Sequence, residues 1–182
     1  VQTFSLTISI SDDDTAQVTI AATDALAGEP ANAGQFTVTL SETSDTDTVV
    51  SYTVTGDATA DSDYTALSGS VTIAAGSTTA TIDVSVLDDS LLEDNETVTV
   101  TLDSIPAGDA AIPLGATHNA TVTTSDHDTA QVTIAATAAV AGAQSIPGTF
   151  LVTLSETSDT DTVVSYTVTG DATADNDYTA LS

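Results

Sequence analysis

Apolar and polar residues alternate with a period of two along most of this chain, and Val, Ile and Thr carry the alternation. Seven runs show it between Asp14 and His127, at 17–22, 35–40, 49–55, 70–74, 80–87, 97–102 and 117–124. A period of two sends successive side chains to opposite faces of a pleated ribbon, and β-branched residues pack well on such a surface, so each run predicts a strand. The apolar sets put Val18, Ile20, Phe36, Val38, Leu40, Tyr52, Val54, Val71, Ile73, Ile82, Val84, Val86, Val98, Val100, Leu102 and Val122 on inward faces. Turn formers such as LAGEPANAG, TGDATADSDY and AAGST separate the runs, and no segment keeps a helical period over the length a helix needs. Short strands at regular spacing predict an all-β fold, an antiparallel immunoglobulin-like β-sandwich of about seven strands. FSLTISI, residues 4–10, alternates in the same way and is expected to form the last strand of a preceding unit.

The pattern repeats on a longer scale. DTAQVTIAAT occurs at 14–23 and again at 128–137, an offset of 114 residues, and 45 of the 55 positions of 14–68 are identical to those of 128–182 without a gap. The expected organisation is therefore tandem repeats: the last strand and linker of one unit at 1–13, a complete unit at 14–127 and the first half of the next at 128–182. Near-identical copies in a row favour a spacer or array over an enzyme, which rarely needs one active site many times over.

Composition then narrows the partners. Asp and Glu number 27 while Lys and Arg are absent, a formal charge of −27, so the chain repels phosphate backbones and anionic lipid and is expected to bind no nucleic acid. With 41% hydrophobic residues in ordered alternation the chain should fold rather than stay disordered, given a counter-charge from outside. There is no Cys, hence no disulfide and no thiolate metal site, and no apolar run approaches the roughly 20 residues of a membrane helix, so no direct membrane insertion is expected. The chain reads as a segment of a longer secreted, extracellular protein.

The acidic residues crowd most in VLDDSLLEDNETVTV, residues 86–100. Successive connections of an antiparallel sandwich alternate between its two ends, so the loops after the first, third and fifth strands and the exit from the seventh all fall at one end. Those segments carry Glu29, then Asp61 and Asp63, then Asp88, Asp89, Glu93, Asp94 and Glu96, then Asp126 and Asp128. Carboxylates so converged repel one another unless a hard cation sits among them, and calcium, which takes six to eight oxygen ligands at about 2.3–2.6 Å in a loose geometry, suits such a cluster better than magnesium. An EF-hand does not fit, because no loop glycine follows the acidic run of ADSDY and no Glu stands at the twelfth position. His118 and His127 have no second His or Cys at a useful spacing and read as surface residues, as do the carboxylates of Asp45, Asp47, Asp57, Asp103 and Asp109. Hydroxyls abound, but no Lys exists and neither His lies in a nucleophile motif, so the chain does not read as an enzyme.

VSYTVTGDATADSDYTALSGSVTIAAGSTTATIDVSVLDDSLLEDNETVTVTL, followed later by a strand running into SDHD, or SDDD at the earlier junction, resembles the Calx-beta domain. That family is the calcium-binding sandwich of sodium–calcium exchangers, found also in integrin beta-4 and in large bacterial surface proteins. The resemblance implies a Ca2+ cofactor with ligands from Asp63, Asp88, Asp89, Glu93, Glu96, Asp126 and Asp128, with Glu29 standing for the acid that opens the family's second strand. It assigns Asp12, Asp13 and Asp14 the same exit role for the preceding unit. The sequence departs from the pattern where His127 replaces an acid of the exit triplet and where Ala143 takes the place of Glu29 in the next copy. The implied function is a calcium-rigidified extender of a large, bacterial adhesin, its partners being calcium ions and neighbouring repeats of the same chain. The alternatives are a calcium-dependent carbohydrate- or ligand-binding adhesion module and a calcium sensor domain.

Overall fold

The computed structural model describes residues 2–8, 14–141 and 147–181. Among them nine strands form: β1 (Val18–Asp24), β2 (Gly34–Leu40), β3 (Thr48–Thr55), β4 (Ser70–Ile73), β5 (Thr79–Val84), β6 (Glu96–Ala107), β7 (Asn119–Thr124), β8 (Val132–Ala138) and β9 (Thr149–Leu154). The first seven make two antiparallel sheets, ordered β1-β2-β5 and β4-β3-β6-β7, and β8-β9 is a separate hairpin. No helix among the described residues is long and apolar enough to cross a membrane.

The two sheets face each other across one core, in which Val18, Ile20, Phe36, Val38, Leu40, Tyr52, Ile73, Ile82, Val84, Val98, Val100, Leu102 and Val122 are buried. Val54, Val71 and Val86 lie partly buried against it, as the alternation predicts. Each fully buried Val, Ile or Phe contributes about 1.5–3 kcal/mol, so this face is the main stabilising term. Alternation did not reveal Ala27 and Tyr64, core residues that loops deliver, and it left out Val50 of β3. The outward faces are held by neutral pairs: Thr99 and Thr121 hydroxyls lie 2.8 Å apart, as do those of Ser51 and Ser104. Cross-strand hydroxyl pairs let a chain without Lys or Arg stabilise its solvent faces.

Strand ends differ from the periodic runs where tertiary pairing intervenes. β6 continues through Ser104 to Ala107, past the alternating run, because β3 opposes it across two irregularities in register between Val49 and Tyr52. Conversely β5 leaves its sheet after Val84, and Val86 instead bridges to Tyr64. The expected strand at 4–10 is not seen: residues 2–8 form no strand, and Phe4, Leu6 and Ile8 are exposed, while residues 9 and 10 fall outside the described range. An alternating segment becomes a strand only beside a ladder partner, and none of the described residues pairs with it.

Candidate metal centre

The loops at one end of the sandwich are tied down by backbone hydrogen bonds rather than by charge. The β1–β2 loop is stitched to the end of β7: Ala27 N–H donates to the Thr123 carbonyl (2.8 Å), Ser125 N–H to the Ala27 carbonyl (3.1 Å) and Glu29 N–H to the Ser125 carbonyl (3.1 Å). Gly28 permits the approach, since a Cβ there would meet Ser125 Oγ at 2.7 Å. The β3–β4 loop docks on the continuation of β5, where Thr65 N–H donates to the Ser85 carbonyl and Leu87 N–H to the Asp63 carbonyl, each at 2.9 Å. Within that loop Asp61 adopts φ +66°, a left-handed conformation that Asp tolerates better than most residues. Its carboxylate accepts the Ala66 N–H, and Asp63 accepts that of Thr59. Just past β3, Gly56 has φ +136° and lies so near the carbonyl of Thr97, at the start of β6, that a Cβ would clash at 2.0 Å, which keeps the β3 exit close to Glu96.

Two groups of metal-competent side chains result. Glu29, Asp126, His127 and Asp128 form one, Asp63, Glu93 and Glu96 the other, and in each a ligand atom from every member lies within 4.8 Å of the rest. A cavity of about 10 Å³, room for the centre of one water-sized species, touches both groups through Glu29, Asp126, Asp63, Glu93 and Glu96. Asp126 is the hinge between them: its carboxylate accepts the Glu93 N–H (3.0 Å) and the Asp128 N–H (2.6 Å). One oxygen of Asp128 is buried without a hydrogen-bond partner among the described residues, an uncompensated anion that a cation would satisfy.

The electrostatics match this crowding. Burial first, then the neighbouring charges of Asp63, Asp89, Asp159 and Glu29, push Glu93 up to about 7. Glu96 also rises to about 7, by burial and by a hydrogen bond shared with Asp63. Two carboxyl groups can share such a contact only with a proton or a metal ion between them. Burial likewise raises Glu29, against the hydrogen bond from His127. In Asp126 burial is outweighed by the N–H groups of Asp128 and Glu93, and its pKa falls.

Six of the residues implied by the resemblance thus fall within these two groups: Glu29, Asp63, Glu93, Glu96, Asp126 and Asp128. Asp88 stands at the rim, with its Oδ1 3.8 Å from His127 Nδ1. Asp89 spends one oxygen on the Leu91 N–H (2.6 Å), yet its charge still acts on Glu29 and Glu93. Asp14 lies at the opposite end of the sandwich beside Glu42 and Asp109, and Asp12, Asp13 and Ala143 are outside the described residues. His127 is exposed, as expected of a surface residue, but its Nδ1 sits 3.3 Å from Glu29 Oε2 inside the cluster. Its place in the exit triplet was the signal available in the sequence. The acids read as merely solvated mostly hold local bonds: Asp47 accepts the Ala75 N–H, Asp103 the Thr53 hydroxyl and Asp109 the Ala111 N–H.

Residues 11–128 and 132–182 match the family described as Calx-beta domain. No curated protein matches the chain. Among solved structures it is similar to the apo-form Calx CBD1 domain, at 18% identity and TM-score 0.52, covering 63% of this chain and all of that one. It is also similar to CBD12 from CALX1.2, at 19% identity and TM-score 0.51, covering 62% of this chain. The chain spans 46% of the CBD12 chain, and at these identities the likeness is one of fold.

Proposed function

We propose that this chain, which belongs to the Calx-beta domain family, is a calcium-binding repeat that extends and stiffens a large extracellular bacterial adhesin. The observation that carries the reading is the meeting of Glu29, Asp63, Glu93, Glu96 and Asp126 from four separate segments around one small cavity, with Asp128, one of whose buried carboxylate oxygens has no partner among the described residues, grouped with Glu29 and Asp126. The donor set fits calcium: apart from His127 every donor is a carboxylate oxygen, and no Lys or Arg exists to neutralise them. Bound calcium supplies positive charge and no redox chemistry, so its contribution is to hold loops from both sheets together. Asp126 positions the ion's surroundings by bonding to the backbone of both Glu93 and Asp128.

In this reading residues 14–127 are one complete repeat, 128–182 the first half of the next and 1–13 the tail of the one before. The support is that the two related copies of the sequence fold into the same hairpin, β1-β2 and β8-β9, with the same register irregularity at Ala22/Asp24 and Ala136/Ala138. No Gly, Ser or Pro linker separates Asp128 from β8, which favours a stiff joint. A calcium-bridged carbohydrate module needs an exposed aromatic platform, and Tyr52 and Tyr64 of the complete unit are both buried.

Titration calorimetry on chelator-treated protein tests the site. Glu96→Ala should lower the calcium stoichiometry and Asp94→Ala should not; an equal loss from both would mean a diffuse counterion atmosphere and no site. Small-angle scattering tests the extender role, which predicts a maximum dimension that grows linearly with repeat number in calcium and contracts in chelator. A dimension indifferent to chelator rejects it.

A further inference from the structure

Beyond Val86 and Leu87, the acidic loop between β5 and β6 carries Leu91 and Leu92, two apolar residues that the metal site does not use. Leu92 is half-buried, and its backbone is gripped by the loop that follows β9. Its N–H donates to the Thr157 carbonyl (2.9 Å), its carbonyl accepts the Asp159 N–H (3.1 Å), and it forms a parallel bridge with Ser158. The gripping loop, SETSDTD at 155–161, is repeated without change at 41–47, at the far end of the complete sandwich.

The two copies of that loop are built alike. Ser41 N–H donates to the Gln17 carbonyl and Gln17 N–H to Ser41 Oγ, both at 3.0 Å, while Ser155 and Gln131 repeat the pair at 3.0 and 2.9 Å. Thr46 N–H donates to Ser44 Oγ at 3.2 Å, and Thr160 N–H to Ser158 Oγ at 3.3 Å. In the first copy the β4–β5 turn also holds the loop, Gly76 N–H donating to the Ser44 carbonyl and Ala75 N–H to Asp47, and the outward groups differ in use. The Thr43 carbonyl and the Asp45 N–H, counterparts of the two groups that hold Leu92, make no backbone–backbone hydrogen bond among the described residues. They border an open cleft of about 370 Å³ that Asp14, Glu42, Asp45 and Asp109 line together with Ala16 and Ile112, which are partly buried against the core.

We infer that the 41–47 loop is the receiving half of a head-to-tail joint, and that its occupant is the Leu92 loop of a preceding copy of this repeat. The inference rests on the tandem reading above and adds a contact to it: an apolar backbone clasp beside the metal end. Donor and receiver lie at opposite ends of the unit, so the contact is heterologous and propagates along an array instead of closing into a pair. The grip is made chiefly by main-chain groups, with the Ser158 hydroxyl donating to the Leu92 carbonyl at 3.4 Å, so it depends on loop shape more than on side chains.

The chain has no Cys, so engineered pairs report the contact directly. Residues joined across a β-bridge lie within the span of a disulfide. Leu92→Cys with Ser158→Cys in the 182-residue chain is the reference pair. The test pair is Leu92→Cys in a copy of 14–127 fused ahead of 14–182, with Ser44→Cys in the unit that follows it; Thr46→Cys in place of Ser44→Cys is the misregistered control. Both real pairs should oxidise roughly tenfold or more faster than the control, as docking raises the effective concentration of the thiols. A test pair no faster than the control, while the reference pair closes, overturns the socket and leaves the repeat reading intact. A fused copy that shows no β-sheet circular dichroism of its own overturns the repeat reading and the socket with it.

Discussion

Residues 48–64 and 162–178 have the same sequence except at Ser62, which is Asn176 in the second copy, yet they do not have the same structure throughout. The loop is reproduced: Asp61 and Asp175 both take the left-handed conformation, at φ 66° and 65°. Asp61 and Asp175 also donate to the Tyr64 and Tyr178 carbonyls at the same 2.8 Å. The strand is not reproduced. Thr48–Thr55 is β3, central in its sheet, whereas 162–169 forms no strand. Val50 is 0% exposed and Val164 42%, Tyr52 5% and Tyr166 54%. The loop closes on hydrogen bonds within eight residues of itself, while β3 needs β4 on one edge and β6 on the other. In the second copy the counterparts of those strands would fall beyond residue 182.

The largest effect should come from supplying the missing partners. Appending the sequence of 69–127 after Ser182 should turn 162–169 into a strand and close the open cleft of about 710 Å³ lined by Phe150, Val168, Tyr178 and Leu181. A unit of this size should then unfold with its own stability of about 5–15 kcal/mol, and slow amide exchange at 162–169 would report it. Exchange there as fast as in the present chain would mean that something other than strand partners keeps the segment open.

Truncating the equivalent tyrosines separates the copies next. Tyr52→Ala removes a buried ring and should cost about 3–5 kcal/mol in denaturant unfolding, whereas Tyr166→Ala should stay within about 0.5 kcal/mol. Equal costs would show that the second copy is packed after all.

The same contrast reaches the candidate metal centre. Asp63 and Asp177 occupy loops that differ only at Ser62/Asn176, but among the described residues Asp63 alone has Glu93 and Glu96 beside it. Asp63→Ala should weaken calcium binding roughly tenfold to a hundredfold, about 1.4–2.8 kcal/mol, and Asp177→Ala should leave the calorimetric isotherm unchanged.

The smallest effect concerns protons. In metal-free protein Glu93 and Glu96 titrate near 7, raised by burial and by their carboxylate neighbours above the ordinary 4.5. The folded state therefore keeps protons that the unfolded chain has released, so their stabilisation is complete below about 4.5 and is lost as the pH rises to 7. Chelated protein should melt higher at pH 5 than at pH 8, by on the order of 1–2 kcal/mol once solvent screening of half-buried groups is allowed for. Calcium should reverse the order, because protons then compete with the ion. A metal-free melting temperature that climbs from pH 5 to pH 8 would contradict this account of the cluster.

Much of the site could be read from the chain because loop parity needs only the number of strands. Once seven runs were counted, Glu29, Asp63, Glu93 and Asp126 had to share one end, and they do. Parity does not say which acids at that end turn inward. Asp61 and Asp63 are two residues apart, yet Asp61 bonds back to Ala66 while Asp63 joins Glu93 and Glu96. Nor does it show that His127 lies against Glu29, which follows from stitching the β1–β2 loop to the end of β7.

The sequence by itself determined what is local or periodic: the strands of a half-buried sheet, the inward set from Val18 to Val122, the acidic end and the turn at Asp61, which forms even where no domain surrounds it. Tertiary structure alone decided what depends on a partner. It buried Ala27 and Tyr64 from loops, carried β6 on to Ala107, split the acids into two groups that meet at one cavity, and left 162–169 without a strand. A turn satisfies its backbone within itself, but a strand leaves every other N–H and C=O for a neighbour, so its sequence states only a readiness to pair.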